Sequence, residues 1–150
     1  MRPAASVVRS LKPMADLIET RSERGKWFAA AKDAGFLDVA LACARDLAAE
    51  PATLVRAARD FAAKEPKFAA EVGVIALGHL LNGGGYDPEI SLVQEAFHHL
   101  TDSASRIGAS DWAEEQVRAL VDGPCDSSRT HFQSLLAQCV ARCSEELVRD

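Results

Sequence analysis

Hydrophobic residues recur along the chain with the 3.6-residue period of an α-helix. The clearest case lies between Pro88 and Gly108, where one helical face carries Ile90, Val93, Phe97, Leu100, Ala104 and Ile107. Hairpin turns flanked by alternating apolar and polar residues, the signature of paired strands, are missing from the sequence. We therefore predict an all-α fold with short loops: one domain over residues 1–150, built from about seven or eight antiparallel helices as an α-solenoid or a helical bundle.

Glycine, proline and capping residues set the predicted helix boundaries. The expected helices cover about 5–20, 22–35, 36–49, 51–64, 66–81, 88–107, 112–121 and 128–147. Pro51 and Pro66 should each start a helix, because the first helical turn does not need the N–H group that proline lacks. Side-chain caps are expected from Ser22, Asp87, Asp111 together with Glu114, and Ser127 or Ser128. The helix over 66–81 is apolar on two faces and should be central.

Composition strengthens the helical prediction. The chain contains 27 alanines and only one tyrosine, and alanine is the best helix former, whereas aromatic and β-branched residues favour strands. At 150 residues, a single domain buries roughly 70% of the surface of its unfolded chain. The sequence is therefore long enough for a proper hydrophobic core.

Charge is distributed unevenly along the chain. Residues 1–67 contain 12 basic and 9 acidic side chains, a net charge of +3, whereas residues 68–150 contain 5 and 13, a net charge of −8. The overall charge of −5 argues against general nucleic-acid binding, which needs a basic face. No apolar run approaches the roughly 20 residues of a membrane-spanning helix. We therefore expect no nucleic-acid or membrane partner, and a cytoplasmic protein whose four cysteines form no disulfide framework.

Two motifs offer candidate chemistry, and each has a simpler interpretation. Zinc prefers sulfur and nitrogen donors, which are available from Cys125, His131, Cys139 and Cys143. However, the two cysteines of the last helix fall in its apolar stripe, where free cysteine packs as a small hydrophobic residue. The run Gly83-Gly-Gly85 follows a helix and lacks a lysine, unlike a phosphate-binding loop. We therefore predict no metal, no cofactor and no catalytic residue.

The N-terminal half contains a weak internal repeat. Residues 27–33 align with residues 54–60, and the apolar positions 37–43 align with 68–74, which gives a helix pair of roughly 30 residues. Between Ser22 and about Ser103 the chain resembles alanine-rich helical-repeat domains of uncharacterised bacterial proteins, chiefly over Leu54–Phe61 and Glu71–Leu77. It is also distantly similar to tetratricopeptide hairpins. The resemblance implies a helical-repeat module that binds a protein or a peptide.

A strip of basic residues is the predicted partner-binding surface. We call it the basic strip, and its residues are Lys26, Trp27, Lys32, Arg56, Arg59, Lys64 and Lys67. Arg56 and Arg59 are three residues apart and share one helical face. Such a strip would suit an acidic peptide or the acidic half of a second copy of the chain.

Three alternatives to this interpretation remain open at the level of sequence. The basic residues of the strip could simply keep an alanine-rich helix solvated, with the binding surface on the helices after Gly85. The protein could instead be a helical enzyme or small-ligand binder with a pocket near His79, Tyr86 and His98. It could also be a self-associating structural subunit.

Overall fold

The computed structural model describes residues 21–46 and 49–149, with side chains at residues 27–46 and 49–143. This part of the chain forms seven α-helices: α1 (Arg21–Asp33), α2 (Leu37–Ala44), α3 (Pro51–Phe61), α4 (Pro66–Leu81), α5 (Ser91–Arg106), α6 (Ser110–Asp122) and α7 (Thr130–Arg149). A 3₁₀ turn (Ser127–Arg129) precedes α7. No residue in the described ranges is in a strand, so the all-α prediction is confirmed. The helix predicted over residues 5–20 lies outside those ranges.

Helix α4 is the centre of the fold. It contacts α2 and α3 from the preceding part of the chain, and α5, α6 and α7 from the following part. Its buried residues include Phe68, Val72, Leu77 and Leu80, which are spread around the helix and account for its two apolar faces. In a solenoid each unit contacts only its neighbours in sequence. The described helices are therefore arranged as a bundle around α4.

A glycine allows the close approach of α4 and α5. A Cβ atom added to Gly73 would lie 3.1 Å from the Cβ atom of Leu100 and 3.4 Å from its Cα atom. Leu100, Ala96 and Val93 are fully buried on the facing side of α5. The contact between the two helices thus depends on the missing side chain at position 73.

Some helix boundaries follow local rules and others do not. Pro51 and Pro66 begin α3 and α4, as predicted. The predicted cap at Asp87 is wrong, since α5 begins only at Ser91 and its first turn has no side-chain cap. Asp87 has a φ angle of 44°, which lies in the left-handed region and turns the chain away from a helical path. As a result Ile90 stays 45% exposed although it belongs to the predicted apolar stripe.

The last two helices also begin differently from the predictions. Helix α6 starts at Ser110 and has no side-chain cap, because its N-cap residue is Ala109, which has no polar side chain. Glu114, the second residue of the predicted capping box, accepts a hydrogen bond from the guanidinium of Arg118 at 2.7 Å. Ahead of α7, the residue that acts as a cap is Asp126. Its carboxylate accepts hydrogen bonds from the backbone N–H of Ser128 at 2.9 Å and from the hydroxyl of Ser128 at 2.6 Å. The serine at 128 is therefore a donor to the cap and not the cap itself.

Candidate functional site

The structure brings part of the basic strip together. Lys32, at the end of α1, places its Nζ atom 5.9 Å from the centre of the Phe61 ring on α3, and Lys64 places its Nζ atom 4.5 Å from the same ring. We call these three residues the Phe61 cluster. Ammonium groups at such distances are attracted by the negative face of an aromatic ring. The cluster therefore joins two helices that are separate in sequence.

Acidic residues balance part of the charge near the Phe61 cluster. Lys32 lies 3.8 Å from the carboxylate of Asp33, and Arg59 donates to the carboxylate of Asp60 at 2.9 Å. The bond from Arg59 holds the pKa of Asp60 below its usual value, and the charges of Lys32 and Lys64 act in the same direction. Asp60 is thus a carboxylate surrounded by cations, which leaves this surface with a positive balance.

The other residues of the basic strip are more scattered. Arg56, Arg59 and Lys67 are exposed, and Trp27 is partly buried on α1. Arg56 donates a long hydrogen bond of 3.3 Å to Thr53 on its own helix. The side chain of Lys26 lies outside the described side chains. The structure therefore shows two parts of the basic strip: the lysines of the Phe61 cluster and the exposed arginines of α3.

The three residues proposed to line an enzyme pocket have different environments. His79 is buried and donates from Nε2 to the carbonyl oxygen of Ala44 at 2.6 Å. Burial lowers the pKa of His79, against the opposing effect of that hydrogen bond. Tyr86 is 90% exposed, and His98 is exposed on α5. The bond from His79 ties α4 to the last residue of α2, which ends at Ala44 and not at residue 49 as predicted.

The glycine loop, Gly83–Gly85, is held by a buried arginine. The guanidinium of Arg129 donates to the carbonyl oxygens of Leu80 and Gly84 at 2.9 Å each, and to those of Gly83 and Gly85 at 3.4 Å each. It also lies 5.3 Å from the centre of the Phe132 ring. These carbonyls follow the end of α4, where the helix dipole favours a cation. The glycine loop is therefore tied to the start of α7 by Arg129.

Gly84 is required by the tight turn at this point. Its N–H group donates to the carbonyl oxygen of His79 at 2.6 Å, and a Cβ atom added at position 84 would lie 2.8 Å from that oxygen. Such a contact with backbone cannot be relieved by rotating a side chain. A side chain at position 84 would therefore require the backbone of the turn to shift.

A groove with a volume of about 330 Å³ lies where α5, α6 and α7 meet. Residues from α5, α6 and α7 form its lining. They are Phe97, Thr101, Ser105, Ser110, Asp111, Ala113, Glu114, Val117, Val140 and Cys143. Cavities of about 300–1,000 Å³ are typical of ligand sites. The groove is therefore large enough to accept side chains of a partner.

The floor and the rim of the groove differ in polarity. Ala113, Val117 and Val140 are buried hydrophobic residues and form the floor. Ser105, Ser110 and Asp111 are exposed and form the rim. An apolar floor with a polar rim is the usual anatomy of a protein-binding site. The sequence did not predict this site, because each helix contributes only a few residues and the groove forms only where the three helices pack together.

The two cysteines of α7 have similar burial, and one of them lies in the groove. Cys139 and Cys143 are both partly buried, and burial raises the pKa of the Cys139 thiol. Cys143 lies in the lining of the groove. Among the described residues, no group of three or more His, Cys, Asp or Glu side chains has an arrangement that could hold a metal ion.

Comparisons with known proteins find no family model, curated protein or solved structure that matches the chain. Of the helices that the structure describes, none combines the length and the hydrophobicity needed to cross a membrane.

Proposed function

We propose that this protein is a helical module that binds a protein or peptide partner, and that the groove between α5, α6 and α7 is its principal binding surface. The observation that carries the proposal is the apolar floor formed by Ala113, Val117 and Val140 beneath a polar rim. A side chain that enters the groove gains from removing apolar surface from water, by about 25 cal/mol per Å².

The geometry favours recognition over catalysis. A catalytic site needs a nucleophile, an acid or a base directed at one point. Among the described side chains of the groove lining, the ionisable ones are the carboxylates of Asp111 and Glu114 and the thiol of Cys143. Glu114 is engaged by Arg118 at 2.7 Å. The pattern suits helix-in-groove recognition, in which apolar anchors enter a groove between helices.

The proposal can be tested by blocking the groove. Ser105→Trp introduces a large side chain at the rim without removing a core residue, and Gln138→Trp adds the same side chain at an exposed position of α7 outside the groove lining. Peptides selected from a random 18-residue display library against the full chain should lose at least tenfold in affinity for Ser105→Trp and retain their affinity for Gln138→Trp. Selected peptides that bind both variants equally well would contradict the proposal.

The basic strip is a second candidate surface, and its partner would be an acidic peptide or the acidic half of a second copy. The Phe61 cluster supports this idea because it gathers two lysines on one ring. Changing Arg56 and Arg59 to Glu should weaken capture of a polyglutamate peptide and any self-association, with little change in melting temperature. Raising the salt concentration should also weaken the wild-type interaction, since exposed charges are screened over about 10 Å at 0.1 M.

The matched control for the basic strip is the same charge reversal at Arg106 and Arg118, which are exposed on α5 and α6. If both double variants weaken polyglutamate binding and self-association equally, these interactions depend only on the overall charge of the protein. Binding that is indifferent to charge reversal and to salt would place the interaction on the helices after Gly85.

A further inference from the structure

We infer that the groove selects an amphipathic α-helix that carries lysine or arginine beside its apolar stripe. The inference rests on the proposed function and specifies the partner's chemistry at the same site. Two independent features of the groove lead to it: the secondary structure of its walls and the sign of its charge.

The walls of the groove favour a helical partner. All three walls are α-helices, whose interior N–H and C=O groups are already paired within the helix. An extended peptide would find no open sheet edge with which to pair its own backbone, and an unpaired backbone group that is removed from water costs free energy. A helix satisfies its own backbone and presents apolar side chains at i, i+3 and i+4. A helix is therefore the partner whose backbone loses the fewest hydrogen bonds when it enters the groove.

The volume of the groove limits how much of that helix can enter. At about 330 Å³, the groove is at the low end of the range of about 300–1,000 Å³ for ligand pockets. It can accept a few side chains from one face of a helix, while the opposite face remains in water. The partner must consequently be amphipathic.

The charge of the groove selects the polar residues of the partner. Among the described side chains of the lining, the charged ones are Asp111 and Glu114, and both are acidic. They are three residues apart on α6, so both project from one side of the helix. Arg118 offsets the charge of Glu114, whereas no described cation lies within ion-pair distance of Asp111. A lysine or arginine beside the apolar stripe of the partner would supply the missing positive charge.

Three synthetic peptides test the inference. Each has 18 residues, blocked ends and the same leucine stripe at helical spacing, and the positions that flank the stripe are lysine, glutamine or glutamate. Binding of each labelled peptide to the full chain is measured by fluorescence anisotropy at low salt. We expect the lysine peptide to bind at least tenfold more tightly than the glutamine peptide, and the glutamate peptide to bind most weakly.

Two double variants of equal charge test whether the preference for the lysine peptide depends on the groove lining. Asp111→Asn with Glu114→Gln removes two carboxylates from the groove lining, whereas Glu115→Gln with Asp122→Asn removes two exposed carboxylates from the same helix outside the lining. The preference for the lysine peptide should disappear in the first double variant and persist in the second. A preference that survives the first change, or falls equally in both, would overturn the inference.

The peptides also separate failure of the inference from failure of the proposed function. If all three bind with equal affinity and all are blocked by Ser105→Trp, the groove binds helices without selecting charge, and only the inference is overturned. If none binds the wild-type chain at concentrations where each is helical, the inference and the proposed function both fail.

Discussion

Replacement of Arg129 by methionine should destabilise the protein strongly. Methionine preserves most of the length and the apolar stem of arginine, so the packing against Phe132 is largely retained. The change removes the donors for four carbonyl oxygens around the glycine loop. Arg129 is only 9% exposed, so water has little access to replace the lost donors.

The size of the effect follows from the hydrogen-bond lengths. The two bonds of 2.9 Å, to Leu80 and Gly84, are full hydrogen bonds, whereas the two of 3.4 Å contribute less. A hydrogen bond from a charged group is worth about 1.5–3 kcal/mol, which gives at least about 3 kcal/mol for the two short bonds. Relief from burying the guanidinium offsets part of this stabilisation. We therefore expect the free energy of unfolding to fall by about 3 kcal/mol, equivalent to roughly 6–12 °C in melting temperature for a chain of this size.

The matched control is Arg106→Met, at a half-exposed arginine of α5 that pairs with Asp102 at 3.3 Å. Exposed pairs of this kind contribute about 0.2–1 kcal/mol, so the control should melt within about 4 °C of the wild type. Both variants are measured by thermal and urea denaturation followed by circular dichroism. If Arg129→Met and Arg106→Met have the same stability, the carbonyls of the glycine loop do not depend on Arg129, and the reasoning is refuted.

Two further predictions concern α4. Gly78→Ala should be neutral or stabilise the protein by up to about 1 kcal/mol through helix propensity, because its Cβ atom would make an ordinary van der Waals contact with Leu120 at 3.8 Å. Gly73→Ala should be less stable than Gly78→Ala, because its Cβ atom would meet Leu100 at 3.1 Å; equal urea midpoints would contradict this. The lowered pKa of His79 means that the folded protein binds fewer protons than the unfolded chain, so stability should fall as pH drops below about 6.5. That loss between pH 7.5 and 5.5 should be smaller in His79→Gln than in His98→Gln, and identical pH profiles would contradict it.

The sequence predicts the features of this fold that depend on neighbouring residues. Pro51 and Pro66 start helices because the first helical turn tolerates a missing N–H group wherever it occurs, and both predictions are confirmed. The central position of α4 can also be predicted from the sequence, because a helix with two apolar faces must be covered on both.

The features that the sequence does not reveal depend on distant residues. The last carbonyl of α2, at Ala44, is bonded by His79, which is 35 residues away in sequence. The glycine loop is held by Arg129, more than 40 residues later. The groove arises in the same way, since α5, α6 and α7 supply separate parts of its lining.

The sequence predicts the basic strip only in part. Spacing on one helix indicated that Arg56 and Arg59 share a face, and both are exposed on α3. The convergence of Lys32 and Lys64 on Phe61 depends on how α1 packs beside α3. Periodicity within either helix cannot specify that arrangement, although the internal repeat suggested that the two helices are related.

The central position of α4 has a consequence for how the protein opens. Because α4 contacts helices from both the earlier and the later parts of the chain, neither end can detach without uncovering it. A solenoid opens piecewise from its ends, as a one-dimensional array. Here the slowest-exchanging amide protons of α3, α4 and α5 should instead share one opening free energy, equal to that of global unfolding. Native-state hydrogen exchange would then report a single cooperative unit, and a cut in the loop between α4 and α5 would leave two fragments that fold only in each other's presence.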